Sequence, residues 1–383
     1  MQFLFFAAQY LPTVGGVERY TYNLAKTLTA MGHGATVATS ALPGLPAREV
    51  DENGIEVFRL PAFLPMNGRF PVPKPGAAFD RLAAELWKKP FGFAVINTRF
   101  YPLSLWAAHA CDARGIPALV LEHGTKHLSL DSALLDGVGN LYEHTAMKLV
   151  RRWCDDFYGV SKACGDWLAH FHVAAKGTLY NAVDTGELEA TAATARRDFR
   201  AEAGAAPDAP LIAFIGRFIV EKGVRELLEA FAAFRAARPG AALVMAGDGP
   251  LLAEVRAAAP AGVLLTGALP YTESLALMRQ ADVFCLPTYS EGFSTTILEA
   301  AALGACIVTT PTGGSPELIQ NGESGILLEG HDPKSIEDAL LHCAESPALR
   351  AEMGQKARAA VQARFTWQRT AESLLAVAET AQP

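Results

Sequence analysis

The chain has 383 residues, 50% of them apolar, and a formal net charge of −7 at pH 7. That length suits two domains better than one, and that apolar content excludes a disordered chain. The acidic surplus lies mainly after residue 190 and neither half is basic, which excludes a dedicated nucleic-acid binder. No apolar run approaches the ~20 residues of a membrane span. Phe3-Leu4-Phe5-Phe6 follows no Lys or Arg and stops at Tyr10-Leu11-Pro12. It reads as a first buried strand, not a signal peptide. The six cysteines are scattered, none forms C-x-x-C, and no Cys/His group has zinc spacing. The expectation is a cytoplasmic protein with core cysteines and no bound metal.

Taken in chain order, the pattern predicts a strand over Phe3–Ala7 and a helix over Gly16–Met31, with Val17, Tyr20, Leu24 and Leu28 on one stripe. Strands are expected at Ala35–Thr39, Gly54–Leu60, Phe93–Asn97, Ala118–Glu122 and Phe157–Val160. A helix starts at Ser161. The Ala-, Thr- and Arg-rich stretch Asp184–Pro210 reads as a helix and linker. The alternation then restarts. Strands are predicted at Leu211–Ile215, Ala242–Ala246, Val263–Thr266, Val283–Leu286 and Cys306–Thr309. Helices between them cover Gly223–Ala237, Leu251–Ala258, Tyr271–Gln280 and Thr295–Gly304. Gly325–Leu328 and two final helices close the chain. Near-continuous apolar strands alternating with helices give the α/β class: two doubly wound, Rossmann-like domains, 1–190 and 191–365. Ligands of such sheets bind outside the carboxyl ends of the strands, so the expected site is a cleft between two facing domains.

The loops after strands carry the candidate chemistry. Gly15-Gly16 opens the first helix, where backbone N–H groups can approach an anion or simply turn. His123, in Glu122-His123-Gly124, follows a buried strand and can bond a substrate hydroxyl or stabilise developing charge. Gly216-Arg217 and Glu221-Lys222-Gly223 place two cations at a strand-to-helix junction, a good pair for a diphosphate. Ala246-Gly247-Asp248-Gly249-Pro250 reads mainly as a structural turn, with lining of a nucleotide pocket as a second role. In Ser290-Glu291-Gly292-Phe293-Ser294, Ser294 is the expected N-cap of a helix whose N-terminus attracts phosphate. Glu299, one turn in, is a carboxylate among apolar neighbours and must bond something, either sugar hydroxyls or a core cation. There is no D-x-D, Walker A, G-x-S-x-G or H-E-x-x-H motif, so a metal held by paired aspartates is not indicated.

Together these pieces resemble the retaining glycosyltransferases of family 4 (group 1, GT-B fold) over nearly the whole chain. The resemblance rests on Gly15-Gly16-Val-Glu-Arg, Gly159-Val160-Ser161, Asn181-Ala-Val-Asp184 and Gly216-Arg217 with Lys222-Gly223. Most specific is the pair Glu291 and Glu299, spaced E-x7-E. Tyr180 and Ala182 depart from the family's usual Pro-Asn-Gly-Val-Asp. The resemblance implies that Arg217 and Lys222 hold the donor diphosphate. It gives the transferred sugar to Glu291 and the ribose hydroxyls to Glu299. Gly216, Gly292, Phe293 and Ser294 would line the donor site. Gly16 would approach the distal phosphate, and His123 the transferred sugar. A helix over 366–383 would pack back onto the first domain.

The implied reaction moves a sugar from a nucleotide diphosphate to an acceptor hydroxyl with retention and without a cofactor or metal. UDP-sugar is favoured and GDP-mannose is the second choice. The acceptor is a glycan, a lipid-linked or a small-molecule hydroxyl. The Pro-rich stretch from Leu60 to Pro75 is a candidate acceptor lip. Met147–Trp153 could place the protein peripherally on the inner face of the cell membrane, but reads more readily as a helix with a solvated face. Two rival readings are a nucleotide-sugar 2-epimerase of the same architecture and a non-catalytic nucleotide-sugar binding module.

Overall fold

The computed structural model describes residues 1–13, 15–128 and 133–381. The chain divides into two compact units, Met1–Asn181 with Trp367–Pro383, and Ala182–Thr366.

The first unit is built on β1 (Gln2–Phe6), β2 (Gly34–Ser40), β3 (Arg48–Val50), β4 (Glu56–Leu60), β7 (Phe93–Asn97), β8 (Ala118–Glu122), β9 (Phe157–Gly159) and β10 (Gly177–Thr178). A small antiparallel pair, β5 (Ala62–Phe63) and β6 (Val72–Pro73), stands apart from that sheet. The sheet order is β10-β9-β8-β7-β1-β2-β4-β3. All neighbours are parallel except β3, which pairs antiparallel with β4 at the edge. Helices α1 (Gly16–Ala30), α2 (Ala77–Leu86), α3 (Pro102–Asp112), α4 (Ala133–Val150) and α5 (Lys162–Trp167) follow. Both faces of β1, β7 and β8 are covered, which is why they read as unbroken apolar runs. Along α1, Tyr20, Leu24 and Leu28 are buried at helical spacing.

The second unit contains β11 (Leu211–Ile215), β12 (Ala242–Ala246), β13 (Val263–Gly267), β14 (Val283–Leu286), β15 (Cys306–Thr309) and β16 (Ile326–Leu327). They form one parallel sheet in the order β13-β12-β11-β14-β15-β16. Its helices are α6 (Thr185–Thr194), α7 (Phe199–Glu202), α8 (Val224–Ala237), α9 (Leu252–Ala258), α10 (Tyr271–Gln280), α11 (Thr295–Ala302), α12 (Ser315–Leu318), α13 (Pro333–Glu345) and α14 (Pro347–Arg364). The winding reverses between β11 and β14: β12 lies on one side of β11 and β14 on the other. That reversal is where open α/β sheets present a ligand site.

Three expectations need correction. The stretch after Asp184 is not a linker. Asp184 caps α6 through its side chain, α6 packs on α10 and α11, and Phe199 is fully buried. The units therefore divide after Asn181, before α6, instead of at residue 190. The chain also ends in three helices, not two. Pro347 cannot donate the N–H that would continue α13, and Ser346 caps the new helix by accepting from Leu349 N at 3.4 Å. The third, α15 (Trp367–Thr380), belongs to the first unit. There Trp367 meets Tyr20 edge-to-face, with ring centroids 5.3 Å apart, and Thr370 Oγ1 donates to Tyr180 O at 2.9 Å.

Candidate functional site

In the second unit the candidate residues cluster at the reversal between β11 and β14. The chain leaves β11 through Gly216 and Arg217 and makes one tight turn, Val220–Lys222, before α8. Gly223 ends that turn at φ +65°, and a side chain there would run into the carbonyl of Pro287. This close approach brings the two loops together. Tyr289 N donates to Glu221 O at 2.8 Å, and Thr288 Oγ1 donates to the same carbonyl at 2.9 Å. Across that seam Lys222 Nζ donates to Glu291 Oε1, an ion pair with both side chains largely buried. The two residues assigned separately to phosphate and to sugar are thus in direct contact.

A cavity of about 690 Å³ opens at the carboxyl ends of β11, β12 and β13. Gly216, Arg217, Gly247, Asp248, Leu269 and Ser274 contribute to its lining. Its size suits a nucleoside-sized ligand. Arg217 is exposed on its wall. The turn at Ala246–Pro250 lines the same cavity, the second role its sequence suggested.

The loop before α11 is held from below. Gly314 N donates to Gly292 O at 2.9 Å, and a side chain at Gly313 (φ +55°) would strike the backbone of Glu291. The Phe293 ring is buried against Phe365, with centroids 5.1 Å apart, so it serves packing and is no surface for a ligand. Ser294 occupies the N-cap position, but its hydroxyl makes no capping bond and pairs with Thr296 Oγ1 at 3.0 Å. Ser294 is thus the N-cap expected by position, without the side-chain bond. Glu299 is buried, and its carboxylate accepts from Tyr271 Oη at 2.8 Å. One partner of Glu299 is thus a phenol, which the sequence did not suggest.

In the first unit, Gly16 is the exposed first residue of α1, and a side chain there would meet nothing within 4 Å. The fold itself does not require that glycine. His123 follows β8. Asn97 Nδ2 donates to Phe6 O at 3.1 Å, which turns Asn97 Oδ1 toward His123 Nε2 at 2.8 Å. The amide oxygen can only accept, so Nε2 carries the proton and Nδ1 keeps its lone pair. Burial lowers the imidazole pKa to about 3, so the ring is neutral at physiological pH. A neutral ring can bond a hydroxyl, and it brings no positive charge of its own to the stabilisation of developing charge. Glu122 fixes the loop by accepting from the N–H groups of His123 and Gly124, both at 3.1 Å, while its other oxygen pairs with the buried Arg99.

Residues 14–187 match the model for Glycosyltransferase Family 4, and residues 195–360 match that for Glycosyl transferases group 1. The chain belongs to the family 4, group 1 glycosyltransferases. An uncharacterized glycosyltransferase of Methanocaldococcus jannaschii is 23% identical over 97% of this chain and 96% of its own. A D-inositol 3-phosphate glycosyltransferase of Arthrobacter is 27% identical over 93% of this chain and 88% of its own. Among solved structures, Anabaena HepE in complex with UDP-glucose superposes with a TM-score of 0.74 at 19% identity, covering 99% of this chain and 100% of that one. The fold of this glycosyltransferase is GT-B, with two Rossmann-like halves.

Several residues of the glycosyltransferase escaped the sequence reading: Tyr271 at Glu299, and Asn97 and Glu122 at His123. Asn97 and Glu122 carried a local signal, each being the last residue of a strand; Tyr271 carried none. The middle motifs proved to be caps. Ser161 Oγ accepts from Cys164 N at 3.1 Å and Asp184 Oδ1 from Glu187 N at 2.9 Å. Among the described residues no helix is long and apolar enough to cross a membrane. Met147 and Val150 of the basic stretch are buried, while Arg151 and Arg152 are exposed.

Proposed function

We propose that this glycosyltransferase transfers a hexosyl group, with retention, from a nucleoside diphosphate sugar to a hydroxyl of a glycan, a lipid-linked or a small-molecule acceptor. UDP-sugar is the favoured donor and GDP-mannose the alternative. A solved protein of the same fold is complexed with UDP-glucose, which supports the first choice.

The observation that carries the reading is the Lys222–Glu291 pair at the sheet reversal, in the same unit as a cavity walled by Arg217. The nucleoside occupies the cavity, and its ribose hydroxyls reach Glu299. The diphosphate lies along Gly216, Arg217 and Lys222. Breaking the anomeric C–O bond builds positive charge on the sugar and negative charge on the leaving phosphate. Arg217 and Lys222 stabilise that phosphate, each on the scale of ~3 kcal/mol for a preorganised donor. Glu291 orients the sugar through its hydroxyls. His123 Nδ1 accepts from a further hydroxyl, and the open backbone at Gly16 admits the distal phosphate. The acceptor attacks from the face the leaving group vacates, and a phosphate oxygen takes its proton. These cations replace a divalent metal, in keeping with the lack of a D-x-D pair. Acceptor choice lies with the first unit, where β5 and β6 carry the exposed Phe63.

The test is a panel of nucleotide sugars with purified protein and chelator, read by nucleotide release and by the anomeric configuration of the product. A UDP-sugar should be consumed at a rate set by added acceptor, yielding a product of unchanged configuration. Epimerised donor without acceptor use, an inverted product, or a covalent sugar–enzyme adduct would overturn the proposal.

A further inference from the structure

We propose that the first unit carries a binding site for one divalent d-block cation of the zinc class, formed by His127, His144 and His170. The three side chains come from separate places: the loop after β8, the body of α4, and the 3-10 turn Leu168–Phe171 that follows α5. One ring nitrogen from each lies within 4.8 Å of the others. The closest pair, His127 Nε2 and His170 Nε2, is 3.0 Å apart. A metal about 2.1 Å from each nitrogen in tetrahedral geometry would hold them ~3.4 Å apart, so small ring rotations suffice.

A second observation sets this cluster apart from a chance meeting of histidines. The other nitrogen of His127, Nδ1, faces the Glu143 carboxylate at 3.0 Å. A carboxylate behind a histidine fixes its tautomer, leaving Nε2 as a lone pair directed into the cluster. Glu143 is itself held rigidly. It is buried, paired with the fully buried Arg99, and accepts from Leu128 N at 2.8 Å. His170 is stacked flat on Trp167, with centroids 4.7 Å apart and planes 5° apart, which orients a second ligand. His170 is exposed and the other two are partly so, giving the ion a path from solvent. Three imidazoles with an open fourth position suit zinc, nickel or copper better than magnesium or calcium. The cation would tie α4 and the 3-10 turn to the loop after β8. The site stands on the first unit alone, independent of the donor reading.

The test uses the full chain without any histidine tag, stripped with chelator, desalted, and titrated with ZnCl₂ in a calorimeter and with CoCl₂ under visible light. One saturable equivalent is expected, and the cobalt form should show the strong visible bands of a four-coordinate site. His170→Ala and His144→Ala should each weaken zinc binding by at least about tenfold, while His342→Ala, outside the cluster, leaves it unchanged. Circular dichroism establishes that the variants are folded, and His170, being exposed, is the safer of the two. Absence of a saturable equivalent, or its survival in both folded variants, would overturn the proposal.

Discussion

Lys222 has three N–H donors, and Glu291 takes one of them. The others suffice for phosphate oxygens, so the ion pair is compatible with a bound diphosphate and places the sugar-facing carboxylate next to it. The expected result for Lys222→Ala is a loss of about 10²–10³ in kcat/KM and weaker binding of free nucleoside diphosphate. Glu291→Ala should abolish turnover while leaving nucleoside diphosphate affinity within about twofold. Because the two side chains touch, their effects on turnover should be non-additive by more than ~0.5 kcal/mol in a double-mutant cycle. Equal losses of nucleotide affinity in both single variants would end the division of roles. Gly16 offers a complementary probe. No side chain or backbone crowds its missing Cβ, so Gly16→Val should leave the urea midpoint nearly unchanged and reduce donor turnover. At this scale the sequence showed which residues sit in post-strand loops. It could not show their partners, because Tyr271 reaches Glu299 across 28 residues and Asn97 reaches His123 across 26. The histidine cluster was hidden for the same reason. Metal spacing is sought along the chain, and these three ligands are gathered only by the packing of α4 and the turn after α5.

Among the elements, α15 is anchored to the first unit by a buried tryptophan at its start. Trp367 starts it, is almost fully buried, and sets its ring against Tyr20 of α1. Tyr20 in turn meets the His123 ring at 5.1 Å and donates to Leu179 O at 3.0 Å, so one aromatic joins α15, α1 and the loop after β8. Trp367→Ala should destabilise the first unit by about 3 kcal/mol or more, read as a shift in the urea midpoint; an unchanged midpoint would show that the helix is held by other contacts. The strands were legible because burial on both faces leaves an unbroken apolar run. The edge strand β3 was not, since an edge carries polar residues and its run of three is too short to show a period. The helix break at Ser346-Pro347 does have a local signal, a capping residue before proline, but it lies inside a stretch whose helical composition continues on both sides.

For the molecule as a whole, alternation of strand and helix was enough to give two Rossmann-like halves, because each half repeats the same physical solution to covering a parallel sheet. What alternation could not locate was the crossing between units, since α6 looks like linker in composition and is bound to its unit by contacts distant in sequence: packing on α10 and α11, and the Glu189–Arg358 ion pair. Global stability has a pH dependence that His123 helps to set. Its imidazole has an ordinary value of 6.5 and is pushed down to about 3 by burial in the folded chain. The groups around it do not supply a compensating proton site: burial keeps the Tyr20 phenol protonated, and Glu122 is engaged with backbone N–H groups and Arg99. Between those two pH values the unfolded chain holds a proton on this residue and the folded chain does not. Unfolding therefore takes up a proton, and stability falls as pH drops from 6.5 toward 3, with a contribution to the slope of at most about 1.4 kcal/mol per pH unit. Glu18 acts in the opposite sense, because burial raises its pKa, so the total slope alone is not diagnostic. Comparing urea midpoints of the wild type and His123→Gln across this window cancels Glu18. The variant should show the shallower decline toward acid, and parallel curves would mean that His123 titrates normally in the folded protein.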